Sequence, residues 1–235
     1  MPDFSVRSYE QELLDRNDIP FEDIKRNMQE LEFINTNLGG HAITISGFKK
    51  IYRNPGSSYL TVCEIGCGGG DNLKVIAEYC NKNNTRVKLI GIDINKDCID
   101  YAKENCRDVP GIEFIVSDYK LVNFNDKKPD ILFSSLFCHH LDDGQFVEML
   151  QWSEQNSIAG FFINDLHRHF LAYYSIKLLT GLFSKSYLVK NDAPLSVQRG
   201  FKKNDLDRLL GKAGIKNYSV TWKWAFRWLI TVRNE

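Results

Sequence analysis

Short apolar runs alternate with stretches of helical periodicity along most of the chain. Each run is bounded by polar or glycine-containing turns, which is the pattern of buried strands connected by helices. Two further runs near the carboxyl end are separated by one residue and predict an antiparallel hairpin. The whole pattern predicts an α/β fold, with a Rossmann-like sheet of seven strands covered on both faces by helices. The predicted strands are Tyr59–Cys63, Val87–Ile92, Ile112–Val116, Ile131–Ser134, Gly160–Ile163, Tyr218–Trp224 and Phe226–Val232.

The residues before the first strand are predicted to be helical. Apolar side chains recur at steps of three and four in Phe21–Leu38, and Gly39 ends this helix. Helices are also predicted at Tyr9–Leu14 and Ala42–Tyr52. The turn-rich residues Asn54–Ser58 indicate a linker into the first strand.

The chain departs from a minimal alternation of strands and helices after the fifth strand. Leu171–Phe183 is long, apolar and aromatic, which predicts a helical insertion that caps the substrate pocket at about residues 171–200. Asp192–Gln198 is predicted to be a loop. Asp205–Ala213 is predicted to be a helix, with Asn204 as its cap.

Length and charge limit the domain organisation and the partners. The 235 residues fit one domain of ordinary size. We divide it into an N-terminal helical lid at residues 1–58 and a core at residues 59–235; a packing extension is the alternative to a lid. Lys and Arg total 30 against 30 acidic residues, so no net field attracts nucleic acid. Small-molecule substrates are therefore favoured.

A glycine-rich turn, reading EIGCGGGDN at Glu64–Asn72, separates the first strand from a helix-like stretch. Glycine lacks a Cβ, so such a turn lets a ligand approach the main chain closely. A P-loop would require a lysine after the last glycine, and Asp71 stands there instead. The dinucleotide fingerprint GxGxxG is also out of register, because Gly66, Gly68 and Gly70 spell GxGxG.

With an acidic residue two positions ahead, this GxGxG pattern resembles motif I of the class I S-adenosylmethionine-dependent methyltransferases. The resemblance implies S-adenosyl-L-methionine as the cofactor and S-adenosyl-L-homocysteine as the product. A carboxylate at the end of the second strand, Asp93, is expected to accept both ribose hydroxyls, as in other doubly wound folds. The resemblance places Asp118 on the adenine amino group and Tyr119 beside the ring. The residues expected to bind the cofactor are Glu64, Gly66, Cys67, Gly68, Gly70, Asp93, Ile94, Asp118, Tyr119 and Ser135.

All five histidines lie in segments that are candidates for the site. A neutral imidazole accepts a proton near neutral pH, whereas a phenol stays mostly protonated, so methylation of a phenolic oxygen benefits from a histidine base. His140 is the first candidate because it follows the fourth strand, and His169 is the second. His139 is alternatively the structural member of the adjacent pair. The residues expected to contact the substrate are His41, His139, Asp165 and Tyr173.

The segment DLHRH, at Asp165–His169, permits a metal site on spacing alone, because alternate residues of an extended strand point the same way. We nevertheless expect no metal, since catechol methyltransferases hold magnesium with carboxylate and amide oxygens rather than imidazoles. The six cysteines lack paired CxxC spacing, which argues against zinc. Residues Pro2–Glu10 are polar and do not resemble a signal peptide, so free thiols and a cytoplasmic location are expected.

Several longer segments extend the resemblance over almost the whole chain. NLGGH, EIGCGGGDN, SSLFCHHLDD, INDLHRHFLAYY and APLSVQRGF resemble a bacterial branch of small-molecule methyltransferases related to the ubiquinone and menaquinone biosynthesis enzymes. Members of that branch are often linked to polyketide or aryl-lipid pathways in secondary metabolism. The resemblance implies methyl transfer to a small aromatic or polyketide-type acceptor, with O-methylation of a phenolic hydroxyl favoured. C-methylation of a quinol or polyketide carbon, and a non-catalytic cofactor-binding regulator, are the alternatives.

The sequence also bears on membrane insertion and on oligomeric state. The apolar insertion after the fifth strand is too short to span a bilayer, which takes about 20 apolar residues. No stable membrane insertion is therefore expected. A monomer and a homodimer are both compatible with the sequence.

Overall fold

A mixed sheet organises the part of the chain that the computed structural model describes, residues 2–16, 18–52, 59–124 and 127–234. Its strands are β1 Leu60–Ile65, β2 Val87–Asp93, β3 Ile112–Val116, β4 Ile131–Ser135, β5 Gly160–Leu166, β6 Tyr218–Lys223 and β7 Arg227–Arg233. They lie in the order β3-β2-β1-β4-β5-β7-β6. The first five are parallel, and β7 runs antiparallel between β5 and β6. The predicted seven-stranded, Rossmann-like α/β fold is confirmed.

Helices cover both faces of this sheet. They are α1 Phe21–Asn37, α2 Gly40–Ile51, α3 Asp71–Lys82, α4 Lys96–Asn105, α5 Asp143–Asn156, α6 Phe170–Phe183, α7 Tyr187–Arg199 and α8 Lys203–Ala213. Neighbouring residues of β1 belong to two different apolar clusters. Val62 packs with side chains of α2 and α3, and Cys63 packs with side chains of α5 and α8. This alternation is the period of two that a strand buried on both faces requires.

The strand order reverses at β1, which pairs with β2 on one side and with β4 on the other. In open parallel sheets such a reversal leaves a crevice outside the carboxyl ends of the two central strands. The segments that follow β1, β2 and β4 are therefore brought to one place.

Four parallel strands continue beyond their predicted carboxyl ends. Glu64 lies in β1, Asp93 in β2, Ser135 in β4, and both Asn164 and Asp165 in β5. Ser135 pairs in register with Asn164, whose amide Nδ2 donates to the serine Oγ at 3.2 Å. The apolar pattern assigns these polar residues to turns. Strand pairing and side-chain hydrogen bonds instead allow them to continue the strands.

The prediction of a helix at Tyr9–Leu14 is wrong. This segment is extended up to a short 3₁₀-helix at Leu13–Asp15. The main-chain N–H groups of Leu13 and Leu14 donate to the Asp192 carboxylate at 2.9 and 3.0 Å. A helix this short is not stable alone, and hydrogen bonds to a distant part of the chain replace its internal ones.

The prediction of a loop at Asp192–Gln198 is also wrong, because these residues lie in α7. Pro194 inside the helix lacks an N–H and costs one hydrogen bond, which is why the composition indicates a loop. Burial of the apolar side chains of α7 offsets that cost. The buried members are Leu188, Val189, Leu195 and Val197.

The remaining boundaries of the helices and the hairpin agree closely with the sequence. α8 begins at Lys203, so Asn204 is inside the helix and is not its cap. The Asp205 carboxylate instead accepts the N–H of Lys202 at 2.8 Å. The antiparallel hairpin is confirmed as β6 and β7. The predicted linker at Asn54–Ser58 lies outside the described residues.

The predicted helical insertion after β5 is confirmed as α6 and α7. α6 exposes large apolar side chains to solvent, among them Leu178, Leu182 and Phe183. Within the described ranges, none of the helices is long and apolar enough to cross a membrane.

Two glycines test how closely the helices pack on the sheet. Gly47 lies in α2 and Gly211 in α8, so alanine at either position gains up to about 1 kcal/mol of helix propensity. At Gly47 the added Cβ would lie 2.4 Å from Cδ2 of Phe162, whereas nothing lies within 4 Å at Gly211. We expect Gly47→Ala to lower the free energy of unfolding by about 1–3 kcal/mol. Gly211→Ala should raise it slightly. Urea denaturation measures both, and equal effects would contradict the close packing of α2 on β5.

Candidate active site

A cavity of about 870 Å³ lies at the carboxyl ends of the central strands. The glycine turn after β1 forms one wall, and α1 covers it from the N-terminal side. Side chains of α6 and α7 and the turn between β6 and β7 close the other side. The volume lies in the range of pockets that hold cofactors and small molecules.

The glycine turn is held by the strand beside it. The main-chain N–H groups of Gly66 and Cys67 both donate to the carbonyl oxygen of Ile92, at 2.8 and 3.1 Å. Gly66, Gly68 and Gly70 have φ angles of 68°, 47° and 75°, a region that favours glycine. Gly66, Cys67 and Gly68 line the cavity, but Gly70 does not.

Asp93 joins the turn to the end of β2. Its carboxylate accepts the N–H of Gly68 at 2.9 Å and the N–H of Asn95 at 2.9 Å. Each oxygen keeps a second lone pair, and the residue lines the cavity beside Ile94. Burial raises the pKa of Asp93, although the backbone hydrogen bonds oppose that shift. A carboxylate placed in this way fits a ligand that donates hydroxyl hydrogen bonds.

Glu64 is buried beneath the turn and reaches the cavity wall. Its Oε1 accepts from Nδ2 of Asn72 at 3.1 Å, and among the described residues its Oε2 has no hydrogen-bond partner. Burial, with the charges of Asp71 and Asp93, holds the pKa of Glu64 well above its usual range. A buried acceptor without a partner is a position where a ligand would supply a donor.

Asp118 and Tyr119, which were expected to contact adenine, lie off the cavity wall, and Ser135 already has a hydrogen-bond partner. Asp118 accepts the N–H of Lys120 at 3.0 Å and does not line the cavity. The ring of Tyr119 is buried against Phe137 and Trp152, also away from the cavity wall. Ser135 does line the cavity, and its Oγ accepts from an asparagine of β5.

The two adjacent histidines follow β4 in a short 3₁₀-helix, and both line the cavity. Nδ1 of His139 lies 2.8 Å from Oδ1 of Asp165, which is buried and does not line the cavity. Nδ1 of His140 lies 3.2 Å from Oδ1 of Asp15. Burial raises the pKa of Asp165, but the charge of His139 and its hydrogen bond outweigh that effect and lower it.

His140 has a raised pKa despite its burial. Burial alone would lower the pKa of the imidazole, but the hydrogen bond to Asp15 and the charges of Glu12 and Asp15 outweigh it. The side chain is 21% exposed, against 4% for His139. His140 is therefore the more accessible of the two.

Glu12 completes this cluster and was missed by the sequence reasoning. The carboxylate is 96% buried, lines the cavity and accepts from Oγ of Ser196 at 2.8 Å. Its two oxygens lie 3.6 Å from Nε2 of His139 and 3.8 Å from Nε2 of His140. An isolated glutamate in a polar N-terminal segment carries no signal that it will be buried.

The other candidate histidines do not reach this cluster. Nε2 of His41 lies 2.7 Å from the carboxylate of Asp71, which lines the cavity although His41 does not. Nδ1 of His169 accepts the N–H of Leu171 at the start of α6. His169 is likewise absent from the cavity wall.

Tyr173 and His167 also lie away from the cavity wall. The ring of Tyr173 packs edge-on against Phe4, with ring centroids 5.5 Å apart. Nδ1 of His167 accepts from the indole of Trp222. Burial, with the nearby His169, lowers the pKa of His167 to about 4. The expected substrate contact of Tyr173 stays a prediction.

Arg227 is a second residue on the cavity wall that sequence reasoning missed. It starts β7, is 96% buried, and donates to Oδ1 of Asn35 at 3.0 Å. Within the described part of the chain its other terminal nitrogen, Nη1, has no hydrogen-bond partner. Burial lowers its pKa to about 10, so the group still carries its charge at neutral pH.

The fold is similar to those of solved methyltransferase structures. A methyltransferase from Aquifex aeolicus matches with a TM-score of 0.62 and 16% identity, covering 89% of this chain and 97% of that one. The plantazolicin methyltransferase BpumL matches with a TM-score of 0.66 and 16% identity, over 91% and 90% of the two chains. Human N-acetylserotonin methyltransferase matches with a TM-score of 0.64 and 17% identity, over 92% and 56%. At these identities the likeness shows the fold.

Residues 62–154 match the family model described as a methyltransferase domain. They contain the glycine turn, Asp93 and the histidine pair. The match over these residues and the fold shared with solved S-adenosylmethionine-dependent methyltransferases support the predicted family, the class I S-adenosylmethionine-dependent methyltransferases. They also support the predicted cofactor, S-adenosyl-L-methionine.

One curated relative has a named acceptor. Malonyl-[acyl-carrier protein] O-methyltransferase 1 from Ilyobacter polytropus is 32% identical over 103 residues. That alignment covers 43% of this chain, and the chain spans about a third of the length of the relative, 33%. The bacterial small-molecule branch and the acceptor of this methyltransferase domain stay predictions.

The position of Asp93 gives a test of the cofactor site. Asp93→Ala removes both the expected acceptor for the ribose hydroxyls and the hydrogen bond to Gly68, so we expect S-adenosylhomocysteine to bind at least about tenfold more weakly, by roughly 1.4 kcal/mol. Isothermal titration calorimetry measures this. Asp118→Ala is the matched comparison, because Asp118 lies off the cavity wall. Unchanged affinity in Asp93→Ala would contradict the site, and a loss in Asp118→Ala would support the expected adenine contact.

Proposed function

We propose that the protein transfers the methyl group of S-adenosylmethionine to a hydroxyl oxygen of a small aromatic or polyketide-type acceptor. The observation that carries this proposal is the polar cluster of Glu12, His139 and His140, which lines the same cavity as the glycine turn. Imidazole and carboxylate groups on the wall of a methyl-transfer cavity suit an acceptor whose proton must be removed.

The residues of the domain suit the cofactor. When bound, S-adenosylmethionine supplies an electrophilic methyl group on a sulfonium. Gly66 and Gly68 would let the ligand approach the main chain, and the carboxylate of Asp93 would accept the ribose hydroxyls. The free Oε2 of Glu64 offers an acceptor for a donor group, and the charge of Arg227 suits a carboxylate. Ile94 and Ser135 complete the proposed contacts.

The acceptor side of the cavity has a largely apolar wall, although Ser175, Asp192 and Ser196 also line it. It is formed by α6, α7 and the turn between β6 and β7, which supports an aromatic or lipophilic acceptor. These elements form the proposed substrate cap at about residues 171–200, and the N-terminal segment together with α1 forms the proposed lid. The apolar wall residues on this side are Leu166, Ala172, Ile176, Leu179, Val189, Val197 and Phe226.

We propose that catalysis depends mainly on alignment. The walls of the cavity would hold the acceptor oxygen in reach of the methyl donor and would exclude water. The hydrogen bond of His140 to Asp15 orients the imidazole with Nδ1 protonated and Nε2 free to accept the acceptor proton. His139, fixed by Asp165, would position the acceptor.

Carbon methylation of a quinol or polyketide acceptor stays the alternative reaction. The named oxygen acceptor of the malonyl-[acyl-carrier protein] relative supports transfer to oxygen, although only part of that protein is matched. We expect incubation with methyl-labelled cofactor and a panel of phenols and quinols to give a product with label on oxygen, as read by mass spectrometry and NMR. Label on carbon would favour the alternative. Cofactor binding without transfer to any acceptor would favour a cofactor-binding regulator.

The raised pKa of His140 predicts a particular pH dependence. The imidazole accepts a proton only when it is neutral, so kcat/KM should rise with pH through a midpoint above 6.5, the ordinary histidine value. Asp15→Asn removes a hydrogen bond and a charge that raise this pKa, so the midpoint should move to lower pH. His140→Ala should lower kcat by about 10²–10⁴-fold.

The controls separate catalysis from binding and folding. His167→Ala serves as the matched histidine change, because His167 lies off the cavity wall. Calorimetry with S-adenosylhomocysteine should show unchanged cofactor affinity in His140→Ala. Wild-type turnover and an unchanged pH profile in that variant would mean that His140 is not the base.

A further inference from the structure

Three potential metal ligands converge on the cavity wall. Glu12, His139 and His140 each offer one ligand atom, and these atoms all lie within 4.8 Å of one another. Nε2 of His139 is 3.6 Å from Oε1 of Glu12, and Nε2 of His140 is 3.8 Å from Oε2. Both distances are too long for a hydrogen bond, so the two imidazoles face the carboxylate without bonding to it.

Each imidazole is oriented by a second carboxylate on its other nitrogen. Nδ1 of His139 is 2.8 Å from Asp165, and Nδ1 of His140 is 3.2 Å from Asp15. A carboxylate only accepts hydrogen bonds, so Nδ1 carries the proton of the neutral ring and the lone pair of Nε2 points toward Glu12. Metal-binding histidines have this arrangement, in which a carboxylate fixes the tautomer and increases the basicity of the ligand nitrogen.

The spacing of the ligand atoms suits a small divalent ion. Zinc lies about 2.0–2.2 Å from imidazole nitrogen and carboxylate oxygen, so ligand atoms at a tetrahedral angle are roughly 3.4 Å apart. The separations of 3.6 and 3.8 Å, which end on different oxygens of Glu12, are a few tenths of an ångström longer than this, and the ligand atoms of the whole set must close from within 4.8 Å of one another. Two histidines and one glutamate are a ligand set that leaves a position open for water or an acceptor.

The charges around the cluster favour a cation. The carboxylates of Glu12, Asp15 and Asp165 lie beside the imidazoles, and the guanidinium of Arg199 lies 3.9 Å from Glu12. A second guanidinium, that of Arg7, donates to the carbonyl oxygen of His139 at 3.4 Å, but its charge is paired with Asp143 at 2.9 Å. With both imidazoles neutral, this leaves an excess of two negative charges, which one divalent ion would balance. Arg199 itself donates to the carbonyl oxygens of His139, His140 and Glu10, so it holds the ligand-bearing segments together.

We propose that Glu12, His139 and His140 bind one divalent transition-metal ion, with an open coordination position facing the cavity. The site departs from the expectation of no metal and differs from the sequence motif at Asp165–His169, where Asp165 only orients His139. The binding of the ion does not depend on the proposed function. Its role does: an acceptor hydroxyl on the open position would lose its proton to solvent more readily, whereas in the metal-free protein Nε2 of His140 accepts it.

Zinc is the probe for this site. After dialysis against a chelator, wild-type protein titrated with ZnCl₂ in a calorimeter should bind one equivalent, and its melting temperature should rise because the ion joins the N-terminal segment to the core. Glu12→Gln, His139→Gln and His140→Gln should each weaken binding by more than about 100-fold. Asp165→Asn should weaken it by about 10–100-fold, as expected for a residue that orients a ligand.

Two control variants test whether zinc binding depends on the three proposed ligands. Glu10→Gln changes an exposed glutamate two residues from Glu12, and His167→Gln changes a histidine off the cavity wall; both should bind zinc as the wild type does. X-ray absorption at the zinc edge of the wild-type complex should report two imidazole ligands, and this result needs no variant to fold.

Two results would overturn the metal site: no zinc binding by folded wild-type protein, or wild-type affinity in folded Glu12→Gln, His139→Gln and His140→Gln. An absorption spectrum without imidazole ligands would also overturn it. Titration of the same samples with S-adenosylhomocysteine separates this outcome from failure of the proposed function. Retained cofactor binding without zinc binding rejects only the metal, and zinc binding without cofactor binding rejects only the methyltransferase proposal.

Discussion

Hydrogen bonds between the glycine turn and the end of β2 are the contacts on which the site depends. The carbonyl of Ile92 accepts the N–H groups of Gly66 and Cys67, and the carboxylate of Asp93 accepts the N–H of Gly68. The turn and the acidic residue therefore form one rigid unit at the point where the strand order reverses. Because parallel strands end at the same edge of the sheet, this unit fixes where a cofactor can lie relative to the segments after β4 and β5.

The second half of the site is assembled from distant parts of the chain. The N-terminal segment is extended because Asp192 of α7 satisfies two of its main-chain N–H groups, and this places Glu12 opposite the imidazoles of His139 and His140. The same segment supplies Asp15 to His140. A stretch with little regular structure thus contributes two carboxylates to the cavity and sets the protonation of the candidate base.

The sequence predicts the sheet well because the strands are apolar on both faces and are separated by clear turns. It also predicts that Asp93 and the glycine turn lie at the same site, because each is found at the carboxyl end of a parallel strand. Glu12 could not be predicted, because its burial depends on contacts with α7 and the histidine pair that leave no periodic pattern. The same holds for α7, where Pro194 suggests a loop and only tertiary packing makes a helix. The burial of Arg227 could not be predicted either. It results from the position of the β6–β7 hairpin, and a charged side chain gives no indication of burial.

A crystal structure of the protein with S-adenosylhomocysteine would show most directly how the cofactor lies in the cavity. We expect the ribose hydroxyls to bond to Asp93, the homocysteine to lie along the glycine turn, and the sulfur to face the space in front of Glu12, His139 and His140. A complex in which the nucleoside lies elsewhere, or in which the sulfur points away from this cluster, would contradict this expectation.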